Sequence, residues 1–257
     1  MKFGIASYHR CDTMTTVTLL RSLGIQPDNI LVATQTKNDY TNYKNRWQDD
    51  ATIIFAPANN AAANRNTILK TCDIGERIIL MDDDVKNLSI NIEKDGYTYG
   101  TSRKLDGENF QTMIEEGFSQ GSSLWGIFAT HNNMFMRSQW LTYGAAKPYT
   151  LVSGAFMGIT FTGDMFDESF PLCEDSELSL RLITKGDTCP KLSLYGLSRI
   201  GKEGDTPGGL YDTYHEDGLL NSTIDKVISL YPELVTRSPR KGNLRMKRLP
   251  KKLFETS

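Results

Sequence analysis

The sequence predicts an α/β fold built on a parallel sheet, and three observations carry that prediction. Short apolar runs alternate with helix-compatible segments through the first ninety residues. Strand–helix–strand repeats of this kind give parallel sheets, whose ligands sit at the carboxyl ends of the strands. The fourth apolar run, from Arg77 to Met81, ends directly in Asp82, Asp83 and Asp84. Three adjacent carboxylates repel one another and are costly to desolvate. A strand end that gathers them needs positive charge, and a divalent cation is the obvious source.

The elements follow in order. Residues 3–7 form a short apolar strand and 8–12 a loop. Met14, Val17, Leu20 and Leu23 share one helical face, which Gly24 terminates. Residues 29–34 give a second strand, 38–47 a polar helical crossover, and 52–55 a third strand stopped by Pro57. A helix over 59–72 has Asn60 as its cap, and 77–81 is the fourth strand. The second half is less regular. A strand followed by a polar loop or hairpin fits 87–104, a helix 107–120, and an apolar strand 123–130. Residues 149–163 combine β-branched residues with glycines, as strands near a ligand do. A helix over 173–186 opens with acids and stops at Gly186, a Gly-rich loop spans 202–215, and a last helix spans 218–234.

With 257 residues, 39% hydrophobic and 23% charged, the chain suits one large α/β domain. We expect that domain over 1–236, in two halves, 1–90 and 91–236. No stretch approaches the roughly eighteen apolar residues of a membrane span. The N-terminus has no apolar h-region and reads as the first strand. Cys11, Cys72, Cys173 and Cys189 form no C-x-x-C pair, so the expectation is free thiols in a reducing cytoplasm and no structural zinc. The net charge of -2 conceals an asymmetry. From Arg237 to Lys252 every ionisable side chain is basic, Arg240, Lys241, Arg245, Lys247 and Arg248 among them. A basic tail over 237–257 would bind a polyanion, nucleic acid above all, by neutralising phosphates. On charge alone a solvated terminus serves equally well.

Four groups of residues could carry chemistry. In extended backbone Asp82 and Asp84 share a face and Asp83 points elsewhere. Oxygen-only ligation suits Mg²⁺ or Mn²⁺ rather than zinc; the plain alternative is an acidic surface turn. Glu174 and Asp175 open a helix, where the dipole alone favours acids, yet a carboxylate there can also take a proton from an attacking hydroxyl. Arg65 precedes the aspartate strand and can grip a phosphate or a carboxylate in two-pronged fashion, or form a surface salt bridge. His9, His131 and His215 each follow a strand or loop, as metal ligands or as polar loop residues.

Together these pieces resemble a GT-A nucleotide-sugar glycosyltransferase, with a Rossmann-like mixed sheet flanked by helices and a metal site at the strand ends. "FGIASYHR" resembles the first strand and nucleotide loop, "ANRN" the arginine-bearing helix, "ILMDDDV" the D-x-D motif, and "FDESFPLCEDSELSLRL" the E-D motif. The resemblance implies that Asp84 ligates Mn²⁺ or Mg²⁺, that Asp82 assists the metal or contacts the ribose, and that His215 is the third metal ligand, with His131 in reserve. It places Ser7, Tyr8, Arg10 and Asp83 around the nucleotide and Arg65 near the sugar or diphosphate. Asp175 becomes the general base of an inverting transfer from UDP-glucose or another UDP-sugar, with Glu174 supporting the acceptor. "SYHR", "LMDDDV" and "GDTPGGLYD" are also similar to phage-type transferases that glycosylate hydroxymethylated pyrimidines in DNA. That similarity implies host cytoplasm, no membrane, and DNA contacts from the basic tail. The alternatives are a surface-glycan or lipid-linked acceptor, a nucleotidyltransferase, and a DNA-binding module without catalysis.

Overall fold

The computed structural model describes residues 1–57, 60–92, 101–132, 136, 149–200, 213, 216–239 and 242–247. Its first four strands are β1 (Lys2–Ser7), β2 (Ile30–Thr34), β3 (Thr52–Phe55) and β4 (Arg77–Asp82), all parallel and ordered β3-β2-β1-β4. The intervening helices are α1 (Thr16–Ser22), α2 (Lys37–Trp47) and α3 (Ala61–Leu69). Asn60 caps α3 as expected, its side chain accepting from the Ala63 N–H. This half matches the sequence expectation element for element.

Beyond β4 the sheet becomes mixed. β5 (Val85–Ile92) and β6 (Thr101–Lys104) form an antiparallel pair, followed by α4 (Gly107–Ser119), β7 (Leu124–Phe128), β8 (Phe156–Thr160), α5 (Glu174–Thr184), β9 (Lys191–Arg199) and α6 (Leu219–Leu230). The full order is β3-β2-β1-β4-β8-β7-β9-β5-β6, with β8 antiparallel to β4 and to β7, and β9 parallel to β7. The carboxyl end of β9 therefore lies on the same side of the sheet as those of β1 and β4. Only Asp83 and Asp84 separate β4 from β5, so the aspartates occupy the turn where the parallel and mixed halves meet. Such a change of strand order opens a crevice.

Buried strands explain the unbroken apolar runs. Along β4, Ile79 and Met81 enter one core with α1 and α4, while Ile78 and Leu80 enter the other with α3, α5 and α6. Two expectations need correction. Residues 149–163 hold one strand, β8, preceded by an irregular stretch, and β9 had no counterpart in the sequence reading. The start of the basic segment is also not a free tail: β10 (Val235–Arg237) spans the expected boundary at 236/237 and pairs with β11 (Leu244–Met246). Arg237 donates to Asn221 and Asp225 of α6, which ties the hairpin to that helix. All four cysteines are free thiols. Among the described residues no helix is long and apolar enough to cross a membrane. The Gly-rich segment 202–215 lies outside the described residues except Thr213.

Candidate active site

A cleft of about 340 Å³ opens at the carboxyl ends of β1, β4 and β9. Ser7, Tyr8, Arg10, Arg65, Asp82, Asp83, Asp84, Glu174 and Asp175 all line it, so residues far apart in the chain converge as expected. His215, Arg240, Lys241 and Arg248 lie outside the described residues. His131 is exposed and does not line the cleft. Arg245 and Lys247 are exposed as well, on the hairpin whose Asn243 and Leu244 do line it.

Asp83 and Asp84 sit in the turn after β4, where one Arg10 nitrogen reaches both. Asp83 turns inward, accepting from the Ser7 hydroxyl at 2.5 Å and from Arg10 at 2.8 Å, and Tyr43 hydrogen-bonds Ser7 at 2.6 Å. Burial pushes the Asp83 carboxyl up, with Arg10 opposing. In the structure Asp83 anchors Ser7 and Arg10, two residues expected around the nucleotide. Arg10 also reaches Asp84 at 3.3 Å, and Asp82 pairs with Arg65 at 2.8 Å and Arg199 at 3.3 Å. Guanidinium groups thus supply positive charge that the sequence reading had assigned to a cation alone. Asp84 still rises to about 7, through burial and then repulsion by Asp82 and Asp83, against Arg199 and Arg10.

Helix α5 brings the second acidic pair. Its N-cap, Cys173, adopts φ 61°, a left-handed conformation costing a non-glycine residue about 1 kcal/mol, and His9 beside the nucleotide loop adopts φ 56°. Both strained residues flank the cleft, where tertiary contacts hold them. Glu174 is buried and ion-paired with Arg65, so it fixes that guanidinium. Burial raises the Glu174 carboxyl, with Arg65 opposing. Asp175 accepts from the Gly154 N–H at 2.7 Å and from the Ser176 N–H at 2.6 Å. Gly154 has no room for a side chain: a Cβ there would lie 2.4 Å from Arg65 Nη2.

The residues fit an oxygen-preferring divalent ion. Asp84 Oδ1 is buried without a hydrogen-bond partner, as a carboxylate oxygen awaiting a ligand would be. Among the described residues no three carboxylate, imidazole or thiol groups converge as a ready-made cage. Two aspartates completed by diphosphate oxygens and water are the usual arrangement for Mg²⁺ at phosphate sites.

Neither a protein-family model nor a curated protein sequence matches the chain. Among solved structures it is similar to residues 1–349 of S. aureus TarS, with 15% identity and a TM-score of 0.50, covering 89% of this chain and 66% of that one. The same TarS fragment in complex with UDP matches at 16% identity and TM-score 0.50, covering 91% and 71%. A mannosyltransferase, PcManGT from Pyrobaculum calidifontis in complex with GDP-Man and Mn²⁺, matches at 12% identity and TM-score 0.57, covering 89% and 64%. The fold is GT-A. The chain spans about two thirds of the length of these structures. Within this fold the sequence reading missed Arg199, because β9 was not seen, and Gly154, whose role depends on Arg65. It also missed the apolar wall of Leu220, Ile224 and Leu244. The helical spacing of Leu220 and Ile224 was visible in sequence, but the side facing the cleft was not.

Proposed function

We propose that the chain is a divalent-metal-dependent glycosyltransferase. It moves a sugar from a nucleoside-diphosphate donor, a UDP-sugar in the first instance, to an acceptor hydroxyl with inversion. One observation carries the reading: the Asp82–Asp84 turn and Asp175 line a single cleft at the strand ends of a GT-A sheet. The TarS complex with UDP and the PcManGT complex with GDP-Man and Mn²⁺ support the donor class.

Asp82 and Asp84 would hold the metal, which neutralises charge developing on the departing diphosphate. Ser7, Tyr8 and Arg10 surround the nucleotide, and Asp83 keeps Ser7 and Arg10 in place. Arg65, locked by Glu174, points at the sugar–diphosphate junction. Asp175, oriented by two backbone N–H groups, takes the proton from the acceptor hydroxyl. The acceptor oxygen then bonds to the anomeric carbon as its bond to the phosphate oxygen breaks.

For the acceptor we propose DNA carrying hydroxymethylated pyrimidines or a sugar already attached to them. The exposed Arg245 and Lys247 support this, because they lie on the same hairpin as the cleft-lining Asn243 and Leu244. The test is turnover of a nucleotide-sugar panel with Mn²⁺ or Mg²⁺, with and without hydroxymethylcytosine DNA. Turnover raised by that DNA and abolished by Asp84→Ala is the expected result. Metal-dependent turnover indifferent to DNA removes the acceptor, and no turnover with any donor removes the enzyme.

A further inference from the structure

Resting on the nucleotide-sugar reading, we propose that Arg199 binds the donor diphosphate by exchanging partners. It holds Asp82 in the structure and turns to the diphosphate once Asp82 is engaged by a divalent cation.

Among the described residues, five carboxylates (Asp82, Asp83, Asp84, Glu174, Asp175) and three guanidiniums (Arg10, Arg65, Arg199) line the cleft. With every carboxylate ionised, they exceed these arginines by two formal charges, which one divalent ion balances. A diphosphate then adds negative charge of its own, which an arginine turning from carboxylate to phosphate would meet. The three arginines differ in what their departure would leave behind. Arg65 is wedged between Asp82 and Glu174, with its side chain 6% exposed, and Glu174 would be stranded without it. Arg10 carries the buried Asp83 as well as Asp84. Arg199 shares Asp82 with Arg65 and offsets the charge of Asp84, which Arg10 also reaches, so both aspartates keep an arginine when Arg199 turns away. Its side chain is the most exposed of the three, at 17%.

The backbone makes the exchange short. The Ile200 N–H donates to the Asp84 carbonyl at 3.0 Å, which anchors the end of β9 beside the aspartate turn. Only the side chain has to move, and a guanidinium fork fits carboxylate and phosphate equally.

Calorimetric titration tests this on wild type, Arg199→Gln and Arg199→Lys. Three ligands are titrated: Mn²⁺ alone, UDP or GDP in saturating Mn²⁺, and the matching nucleoside without phosphates. Removing a cation that competes for Asp82 should tighten Mn²⁺ binding several-fold in Arg199→Gln. The same variant should bind the nucleoside diphosphate at least tenfold more weakly, with nucleoside affinity unchanged and Arg199→Lys in between. Misfolding would weaken all three ligands together, and such a result, like wild-type diphosphate affinity in Arg199→Gln, overturns the proposal. If wild type binds neither UDP nor GDP with Mn²⁺, the functional reading itself fails and this inference falls with it.

Discussion

At its amino end helix α5 presents Glu174 and Asp175 to the cleft, while three residues further on Glu177 and Arg181 enter a second ion network with Asp164, Lys185 and Tyr231. Both networks mix carboxylates with arginine on one helix, and their titration differs in sign. In the cleft, burial outweighs the arginines and pushes Asp83, Asp84 and Glu174 up. In the second network burial would raise Asp164, but hydrogen bonds from Lys185 and Thr162 and the charges of Lys185 and Arg181 outweigh it and hold it low. Asp164 is thus ionised comfortably. Asp83, Asp84 and Glu174 are held at a free-energy cost that a cation or a substrate relieves, as expected of a binding site.

The largest expected effect separates chemistry from structure. Asp175→Asn is nearly isosteric, keeps one of the two oxygens that accept from the backbone N–H groups, and removes the proton acceptor. Single-turnover transfer should fall by about 10²–10⁴, with nucleotide affinity and thermal stability near wild type. A loss of affinity matching the loss of rate would move Asp175 from base to binding residue.

Next comes the paired removal of an arginine from each network. Arg65→Met leaves Asp82 and the buried Glu174 without their shared guanidinium, and should destabilise by about 3–5 kcal/mol in urea unfolding. Arg181, whose side chain is 26% exposed, should lose about 1 kcal/mol on the same change, since water can replace part of what it gives. Equal losses would erase the contrast between the networks. Gly154→Ala probes the same guanidinium from the other side: the added methyl displaces Arg65, so activity should fall more than stability.

The legibility of each region follows from the range of its interactions. The first four strands and their helices were plain in sequence because apolar runs, a capping Asn60 and glycine stops act within a few residues. The acidic cluster was plain because its members are consecutive. Two of its counter-charges were not, since Arg10 and Arg199 reach the cluster across 73 and 117 residues, and the tie from Arg65 to Glu174 spans 109. Strand β9 escaped for a different reason. Its Leu-Ser-Leu-Tyr-Gly-Leu core has the alternation of a strand but no β-branched residue, and its loss hid Arg199 as well. The hairpin was read as a tail because its charge is conspicuous, while Leu244 and Met246, which pack on the core, are only two residues among many basic ones.

A smaller effect is read in the metal-free protein. Asp84 is raised to about 7, so the folded state retains a proton that the unfolded chain has released. Its contribution therefore falls as pH climbs from about 4 through 7. Asp84→Asn removes that penalty. Its melting temperature should exceed wild type by a few degrees at pH 8, at about 3 °C per kcal/mol, and match it below about pH 4. A variant less stable than wild type at pH 8 would mean that the Arg10 pair outweighs the repulsion.

The opposite sign is expected of Asp164, and the effect is the smallest. Its folded pKa lies below the ordinary 3.8, so its stabilisation is fully present above that value and disappears as pH falls through the folded pKa. Asp164→Asn should therefore cost about 1 kcal/mol at pH 7, where Arg181 and Lys185 lose a charged partner, and the difference should vanish in strong acid. Raised salt should leave most of the loss in place, because the side chain is only 20% exposed. If the variant instead gained stability with rising pH, Asp164 would belong with the strained carboxylates of the cleft, and the division of α5 into a binding end and a stabilising middle would fail.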